Sequence, residues 1–92
     1  MKMGQFKDAA VAFEKLISIY PEYPEVYYFL GETWGKLAKL HDAHYYLGIH
    51  YKKISDFKNA AVHLEKALEK MDDPEKRVKI KVMLVEIRKA KN

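Results

Sequence analysis

Apolar residues recur at steps of three and four along most of the chain, which is the spacing of one face of a helix. The pattern is interrupted at short breaks, and two of these contain proline, at Pro21 to Pro24 and at Asp72 to Pro74. Between the breaks, the spacing predicts five helices, over residues 5–20, 24–37, 41–53, 56–71 and 75–90. Because the connections are short, we expect consecutive helices to pack as antiparallel neighbours.

Residues at the breaks are typical of helix ends. Pro24 suits the first turn of the second helix, where its missing N–H costs nothing. Ser55 or Asp56 is expected to cap the fourth helix, since a side-chain oxygen there accepts a hydrogen bond from a free backbone N–H. Asp73, placed directly before Pro74, predicts the start of the fifth helix.

The fifth predicted helix has two apolar faces. Val78, Val82 and Val85 share one face, and the adjacent face is filled by Ile80, Met83, Leu84 and Ile87. Residues 78–82 also alternate as a strand would, but the sequence contains no partner strand, and so we favour a helix. We expect this helix to pack on the fourth one and to cap the array.

Two sequence motifs each occur twice. One reads Tyr27-x2-Leu30-Gly31-x2-Trp34 in the second helix and His44-x2-Leu47-Gly48-x2-Tyr51 in the third. The other is Ala9-x3-Phe13, followed by Pro21, and Ala60-x3-Leu64, followed by Ala67. The motifs and their offsets resemble the tetratricopeptide repeat (TPR), in which helix A carries W-x2-L-G-x2-Y and helix B carries A-x3-F within 34 residues.

The resemblance implies an all-α fold: a short TPR-like alpha-solenoid of about five antiparallel helices with a C-terminal capping helix, over residues 1–92 as a single domain. Helices 5–20 and 56–71 match type B, and helix 24–37 matches type A. Gly31 and Gly48 are only 17 residues apart, which is half a repeat. Since Ala43-x3-Leu47 also fits helix B, the third helix matches both types. Either the scaffold is irregular there or half a repeat has been lost.

In TPR proteins, helix A lines a concave face that receives a peptide or a helix of a partner protein. The resemblance places ten residues on this face: Glu25, Tyr28, Phe29, Glu32, Lys36, Asp42, Tyr45, Ile49, Lys52 and Lys53. Each aromatic residue among them is equally compatible with the core. Seven Tyr, four Phe and one Trp in 92 residues are too many for so small a core. Some therefore lie at a surface, where an apolar patch marks a partner site.

A second resemblance concerns the helix that contains Leu47-Gly48 and the Asp56-Phe57-Lys58-Asn59-Ala60 segment after it. Together they are similar to the C-terminal TPR tails of some zinc metalloproteases of bacterial envelopes. The catalytic H-E-x2-H motif of those enzymes is absent from this sequence. The similarity thus implies a non-catalytic binding appendage, located in the envelope if the chain is part of such an enzyme.

Composition narrows the class of protein. The chain is 49% hydrophobic and 33% charged, which is typical of a globular domain and not of a disordered one. The absence of cysteine excludes disulfides and a thiolate nucleophile. No apolar run reaches the roughly 18–20 residues that span a bilayer. Residues 1–12 lack the apolar core of a signal peptide, and so we expect a cytoplasmic protein by default.

The net charge of +4 is concentrated at one end of the sequence. Residues 75–92 hold seven Lys or Arg against Glu75 and Glu86, a local balance of +5, while the other residues sum to −1. We favour the solvated face of a capping helix as the explanation. The alternative is a contact for nucleic acid or another anionic surface, which would show steep salt dependence.

The sequence contains no motif that is typical of a catalytic or a metal-binding site. There is no Gly-rich phosphate loop and no Gly-x-Ser-x-Gly elbow. His41 and His44 are three residues apart, but a zinc site normally needs three or four ligands. We therefore predict a non-enzymatic protein without metal or cofactor, whose partner is another protein rather than nucleic acid.

The first helix is predicted to carry a second contact surface. It is of type B, and no helix of type A precedes it. Phe6, Phe13 and Ile17 therefore have no cover that is near in sequence. We predict self-association or domain swapping through this face.

Overall fold

The computed structural model describes residues 3–91, with side chains described for residues 4–90. It contains five helices: α1 (Met3–Ile19), α2 (Pro24–Lys36), α3 (Leu40–Lys53), α4 (Phe57–Lys70) and α5 (Pro74–Lys91). The described residues contain no strand, and so residues 78–82 are helical as expected. The prediction of an all-α fold is confirmed, and each predicted helix end lies within two residues of the observed one.

Two aspartates cap the helices that follow them. Asp56 accepts a hydrogen bond from the backbone N–H of Asn59 at 3.3 Å and another from the Asn59 side chain at 2.7 Å. Asp73 accepts from the backbone N–H of Glu75 at 3.0 Å. Of the two candidates, Ser55 and Asp56, it is therefore Asp56 that caps α4. The predicted start of α5 at Asp73 is confirmed.

The turns after α2 and α3 share one geometry. Ala38 and Ser55 both have a left-handed backbone, with φ of 60° and 65°. In each turn the next N–H donates to a carbonyl in the last turn of the helix, at 2.9 Å from Lys39 and 2.8 Å from Asp56. This is the Schellman arrangement, which satisfies free carbonyls at a helix end. It recurs after 17 residues, the interval that also separates Gly31 from Gly48.

Two glycines let α3 approach both of its neighbours. A Cβ atom on Gly31 would lie 2.7 Å from Leu47 Cγ and 3.2 Å from the carbonyl oxygen of Ala43, both on α3. A Cβ atom on Gly48 would lie 2.5 Å from Leu64 Cδ2 on α4. The third helix thus packs against α2 through the residues of its B-type motif and against α4 through the glycine of its A-type motif.

The main packing contacts join helices that are consecutive along the chain. The core lies between α2, α3 and α4, with one alanine from α1 and two isoleucines from α5. Its buried members are Ala10, Tyr27, Leu30, Tyr45, Tyr46, Ala60, Leu64, Ala67, Met71, Ile80 and Ile87. The second apolar face predicted for α5 therefore supplies core residues, as its packing on α4 requires.

Within residues 3–91, no helix combines the length and the apolar character that crossing a bilayer would demand.

Candidate protein-binding surfaces

Helices α3 and α5 run in the same direction and are joined by two ion pairs. Near their first turns, Lys76 Nζ lies 3.3 Å from Asp42 Oδ1. Near their last turns, Lys52 Nζ lies 3.4 Å from Glu86 Oε1. In both pairs the residue numbers differ by 34. Since matching ends of the two helices face each other, α3 and α5 are parallel, and α4 returns between them.

An open groove lies between these two ion pairs, and we call it the α3–α5 groove. It is lined by Tyr27, Tyr45, Ile49, Lys53, Val78, Lys79, Val82 and Met83. Tyr27 and Tyr45 are buried and form its floor. Val78 and Val82 form a wall and remain 61% and 52% exposed. The groove therefore offers apolar side chains that the chain itself leaves uncovered.

Lysines surround this apolar surface. Lys53 Nζ lies 5.2 Å from the centre of the Tyr27 ring, and it makes no ion pair within residues 4–90. Within residues 4–90, Lys79 pairs only with Glu75, at 3.5 Å, and both side chains are more than half exposed. Such an exposed pair is weak and easily exchanged. Lys76, in contrast, is held by Asp42 and by the faces of two buried tyrosines. The groove thus has an excess of positive charge at its rim.

The tyrosines of the floor stay uncharged. Burial raises the pKa of the Tyr45 hydroxyl to about 12. Burial, and then Glu22, raises the pKa of Tyr27, whose hydroxyl donates to the carbonyl of Pro21 at 2.9 Å. At neutral pH both rings therefore act as apolar surface with a neutral hydroxyl.

The structure divides the ten residues predicted for the partner face into two groups. Those of α3 surround the α3–α5 groove: Tyr45, Ile49 and Lys53 line it, and Asp42 and Lys52 form the ion pairs at its ends. Those of α2 do not reach it: Glu25, Tyr28, Phe29, Glu32 and Lys36. Instead, α2 contributes Tyr27 to the groove. Neighbouring helical residues point about 100° apart, and so a difference of one residue changes the surface that a side chain reaches.

Four residues of the groove were not predicted as part of the partner face: Val78, Lys79, Val82 and Met83. The signal was present, because Val78, Val82 and Val85 form an apolar face separate from the one that packs on α4. We interpreted α5 as a solvated cap and so left that face without a role. The structure shows it bordering the groove and solvent.

A second apolar surface lies between α1 and α2, and we call it the α1–α2 patch. It is lined by Phe6, Ala9, Phe13, Phe29, Glu32, Thr33 and Lys36. The rings of Phe13 and Phe29 stack with centres 6.2 Å apart, and Phe29 is 50% exposed.

Phe6 and Phe13 of the predicted self-association face belong to this patch, whereas Ile17 does not line it. The expectation that Phe13 and Ile17 lack a cover is wrong in part. Both are half-buried, because α2 packs against α1 and brings the core beneath them.

A pair of histidines joins α3 to α4. His44 Nδ1 and His63 Nδ1 are 2.9 Å apart, so one ring donates and the other accepts. The His63 ring also stacks on Tyr51, with centres 5.3 Å apart. Burial lowers the pKa of both histidines, and the nearby Lys66 lowers it further. This pair was not predicted, because the two histidines lie on different helices and no spacing within one helix relates them.

The other two histidines, His41 and His50, contact Asp42 and the start of α2. His41 Nε2 lies 3.5 Å from Asp42 Oδ2. His50 Nδ1 donates to the carbonyl of Pro24 at 3.0 Å. Within the described part of the chain, no three His, Cys, Asp or Glu side chains meet as a metal site would require.

Several cations of α5 make internal contacts. Arg77 donates to the carbonyls of Leu68 and Met71 at 2.9 Å and 2.8 Å, and so satisfies the end of α4. Lys76 binds Asp42. These two charges therefore contribute to the fold, which weakens the case for α5 as a continuous anion-binding surface.

Comparison with protein-family models, with curated proteins and with solved structures finds no match to this chain.

Proposed function

We propose that this chain is a TPR-like protein-interaction module whose α3–α5 groove binds a segment of another protein. The observation that carries the proposal is the groove itself: an apolar trough between two parallel helices, with exposed valines on one wall and lysines at its rim. The proposed function is binding alone, without a catalytic step or a cofactor.

Three features support a TPR-like, short alpha-solenoid arrangement. The two ion pairs between α3 and α5 join residues 34 positions apart, which is the length of a TPR. The left-handed turns at Ala38 and Ser55 recur at half that interval. Gly31 and Gly48 occupy the close contacts with the following helix. In this proposal α3 and α5 correspond to helices of type A, α4 is the helix of type B between them, and α5 closes the array.

Burial of the valine wall would provide the binding energy. Val78 and Val82 are each more than half exposed, and covering such a side chain contributes about 1 kcal/mol. The flat tyrosine floor adds contact area that is already ordered, and so little entropy is lost there on binding. A partner segment with two or three apolar side chains on one face fits this surface.

The charge of the rim indicates the chemistry of the partner. Lys53 has no acidic partner within residues 4–90, and Lys79 has only an exposed one. An apolar segment flanked by Asp or Glu would therefore be favoured over a neutral or basic one. Such charges raise the rate of association and set orientation, while the apolar contacts hold the segment in place.

The test is selection from a displayed peptide library, followed by affinity measurements with the selected peptides. We expect apolar peptides with acidic flanks, and Val82→Glu should weaken their binding at least about tenfold. Val11→Glu is the matched control, since Val11 on α1 is also 52% exposed and lies outside the groove. Equal binding by wild type and Val82→Glu, or equal loss in both variants, would contradict the proposal.

The alternative of nucleic-acid binding through α5 gives a different result. Polyanion binding would fall steeply with salt and would be lost on replacing Lys81 and Lys89, which lie outside the α3–α5 groove. Peptide binding in the groove would survive that replacement. Titration with a single-stranded oligonucleotide at low and at moderate salt separates the two functions.

A further inference from the structure

The α1–α2 patch is a second uncovered surface, and its charges differ from those of the α3–α5 groove. Its floor consists of Phe6, Ala9 and Phe13 from α1 and Phe29 from α2. Its edge on α2 carries one acidic and one basic residue, Glu32 and Lys36, both exposed. The two lie four residues apart, which is about one turn of helix.

The mixed charge of this edge makes the patch complementary to itself. In a two-fold symmetric dimer, if residue i of one copy contacts residue j of the second copy, then residue j of the first copy also contacts residue i of the second. Glu32 of one copy would then lie beside Lys36 of the other, and the reverse contact would form at the same time. The α3–α5 groove does not have this property, because its rim is basic and two copies would repel each other.

The packing of α1 leaves room for such a partner. Its main contacts are with α2 alone, whereas α2, α3 and α4 each pack between two helices. Lys36 makes no ion pair within residues 4–90, so its charge is available for a contact between molecules. Glu32 interacts with the Tyr28 hydroxyl on its own helix and is otherwise exposed.

From these features we propose that the α1–α2 patch is the contact of a symmetric homodimer, in which Glu32 and Lys36 of one copy pair with Lys36 and Glu32 of the other. The phenylalanines of the two patches are buried together beneath these pairs. The surface is separate from the α3–α5 groove, and so the dimer leaves both grooves free.

Sedimentation equilibrium of the full chain, from about 1 µM to about 500 µM, tests the proposal. We expect a monomer–dimer equilibrium. Glu32→Lys and Lys36→Glu should each raise the dissociation constant about tenfold or more, because each change brings like charges together twice across the two-fold axis. The double variant Glu32→Lys/Lys36→Glu restores opposite charges and should associate like the wild type.

Lys70→Glu is the matched control for Lys36→Glu, since both lysines are exposed and lie in the last turn of a helix. It should leave the dissociation constant unchanged. The proposal is overturned if the chain stays monomeric throughout, if single reversals leave association unchanged, or if the double variant fails to restore it. Val82→Glu should dimerise normally, so failure of groove binding and failure of dimerisation are told apart.

Discussion

Glycines 31 and 48 show how single residues set the spacing of the central helices. At each position the facing helix is so close that a methyl group would overlap a leucine of the next helix. Leu64, which faces Gly48, is fully buried, and close-packed protein interiors contain few voids. The close contact therefore depends on the absence of a side chain at these two positions, and not on the flexibility of glycine.

Replacing Gly48 by alanine should destabilise the protein. The new Cβ atom would lie 2.6 Å from Leu64 Cγ and 3.3 Å from the Leu64 backbone nitrogen. Overpacking of this kind costs about 1–3 kcal/mol, and the better helix propensity of alanine returns up to about 1 kcal/mol. Chemical unfolding followed by circular dichroism should show a net loss of about 1–2 kcal/mol.

Gly35→Ala is the control for this prediction. Gly35 also lies in a helix, but the nearest atom to its added Cβ would be Ala43 Cβ at 4.0 Å, an ordinary contact. This variant should be neutral or more stable by up to about 1 kcal/mol. If both variants change stability equally, close packing at Gly48 is not the cause.

The His44–His63 pair makes stability depend on pH. Burial, together with Lys66, holds both pKa values below the ordinary histidine value of 6.5, and Glu69 opposes the shift at His44. As the pH falls through 6.5, the unfolded chain therefore takes up protons before the folded one. The contribution of this pair to the free energy of unfolding should be constant above pH 6.5 and should decrease below it. The decrease should end once the folded histidines are themselves protonated.

Chemical unfolding at about pH 7.5 and about pH 5.5 measures this loss. It should be smaller in the double variant His44→Gln/His63→Gln, which cannot take up the two protons. His41→Gln leaves the pair intact and should behave like the wild type. An equal loss in all three proteins would show that other groups cause the pH dependence.

At the scale of the helices, the left-handed turns after α2 and α3 each lower the stability of the protein. Ala38 and Ser55 occupy a backbone region that costs a residue with a side chain roughly 1–2 kcal/mol. Glycine is the usual residue at this point of a Schellman motif, since it adopts the conformation freely. The hydrogen bonds of the turn compensate for the cost, because they satisfy the last carbonyls of α2 and α3.

Ala38→Gly and Ser55→Gly should each stabilise the protein by about 0.5–1 kcal/mol, because glycine removes the strain but loses more entropy on folding. Thermal unfolding should show a rise of several degrees for each variant. Ala12→Gly is the matched control: Ala12 is an exposed residue within α1, and its replacement should destabilise by about 1 kcal/mol. A loss of stability in Ala38→Gly would mean that its methyl group makes a contact worth more than the strain.

At the scale of the whole molecule, the direction of α5 creates the proposed binding surface. α5 packs on α4 through Ile80 and Ile87, and this packing returns it parallel to α3. The Asp42–Lys76 and Lys52–Glu86 pairs then join the two helices at their ends. Neither pair is deeply buried, and so each contributes little to stability. They mark the two ends of the groove, since each joins α3 to α5 on one side of it.

The sequence by itself determined where the helices lie and which residues cap them. These are local properties: the three- and four-residue spacing, prolines at the breaks, and the capping aspartates Asp56 and Asp73. The 17-residue interval between Gly31 and Gly48 was also visible in the sequence, and in the structure both glycines lie at close contacts with the next helix. The family resemblance assigned five α3 residues to the partner face, and in the structure these line the α3–α5 groove or form the ion pairs at its ends.

Only the tertiary structure decided which faces of distant helices meet. It brought Tyr27, and not Tyr28, into the α3–α5 groove, exposed Val78 and Val82 beside it, and paired His44 with His63. Such contacts depend on how far each helix is rotated and tilted against its neighbours, which results from the fit of many side chains at once. A rotation of one residue, about 100°, carries a side chain to another surface, and no local pattern in this sequence specifies that rotation.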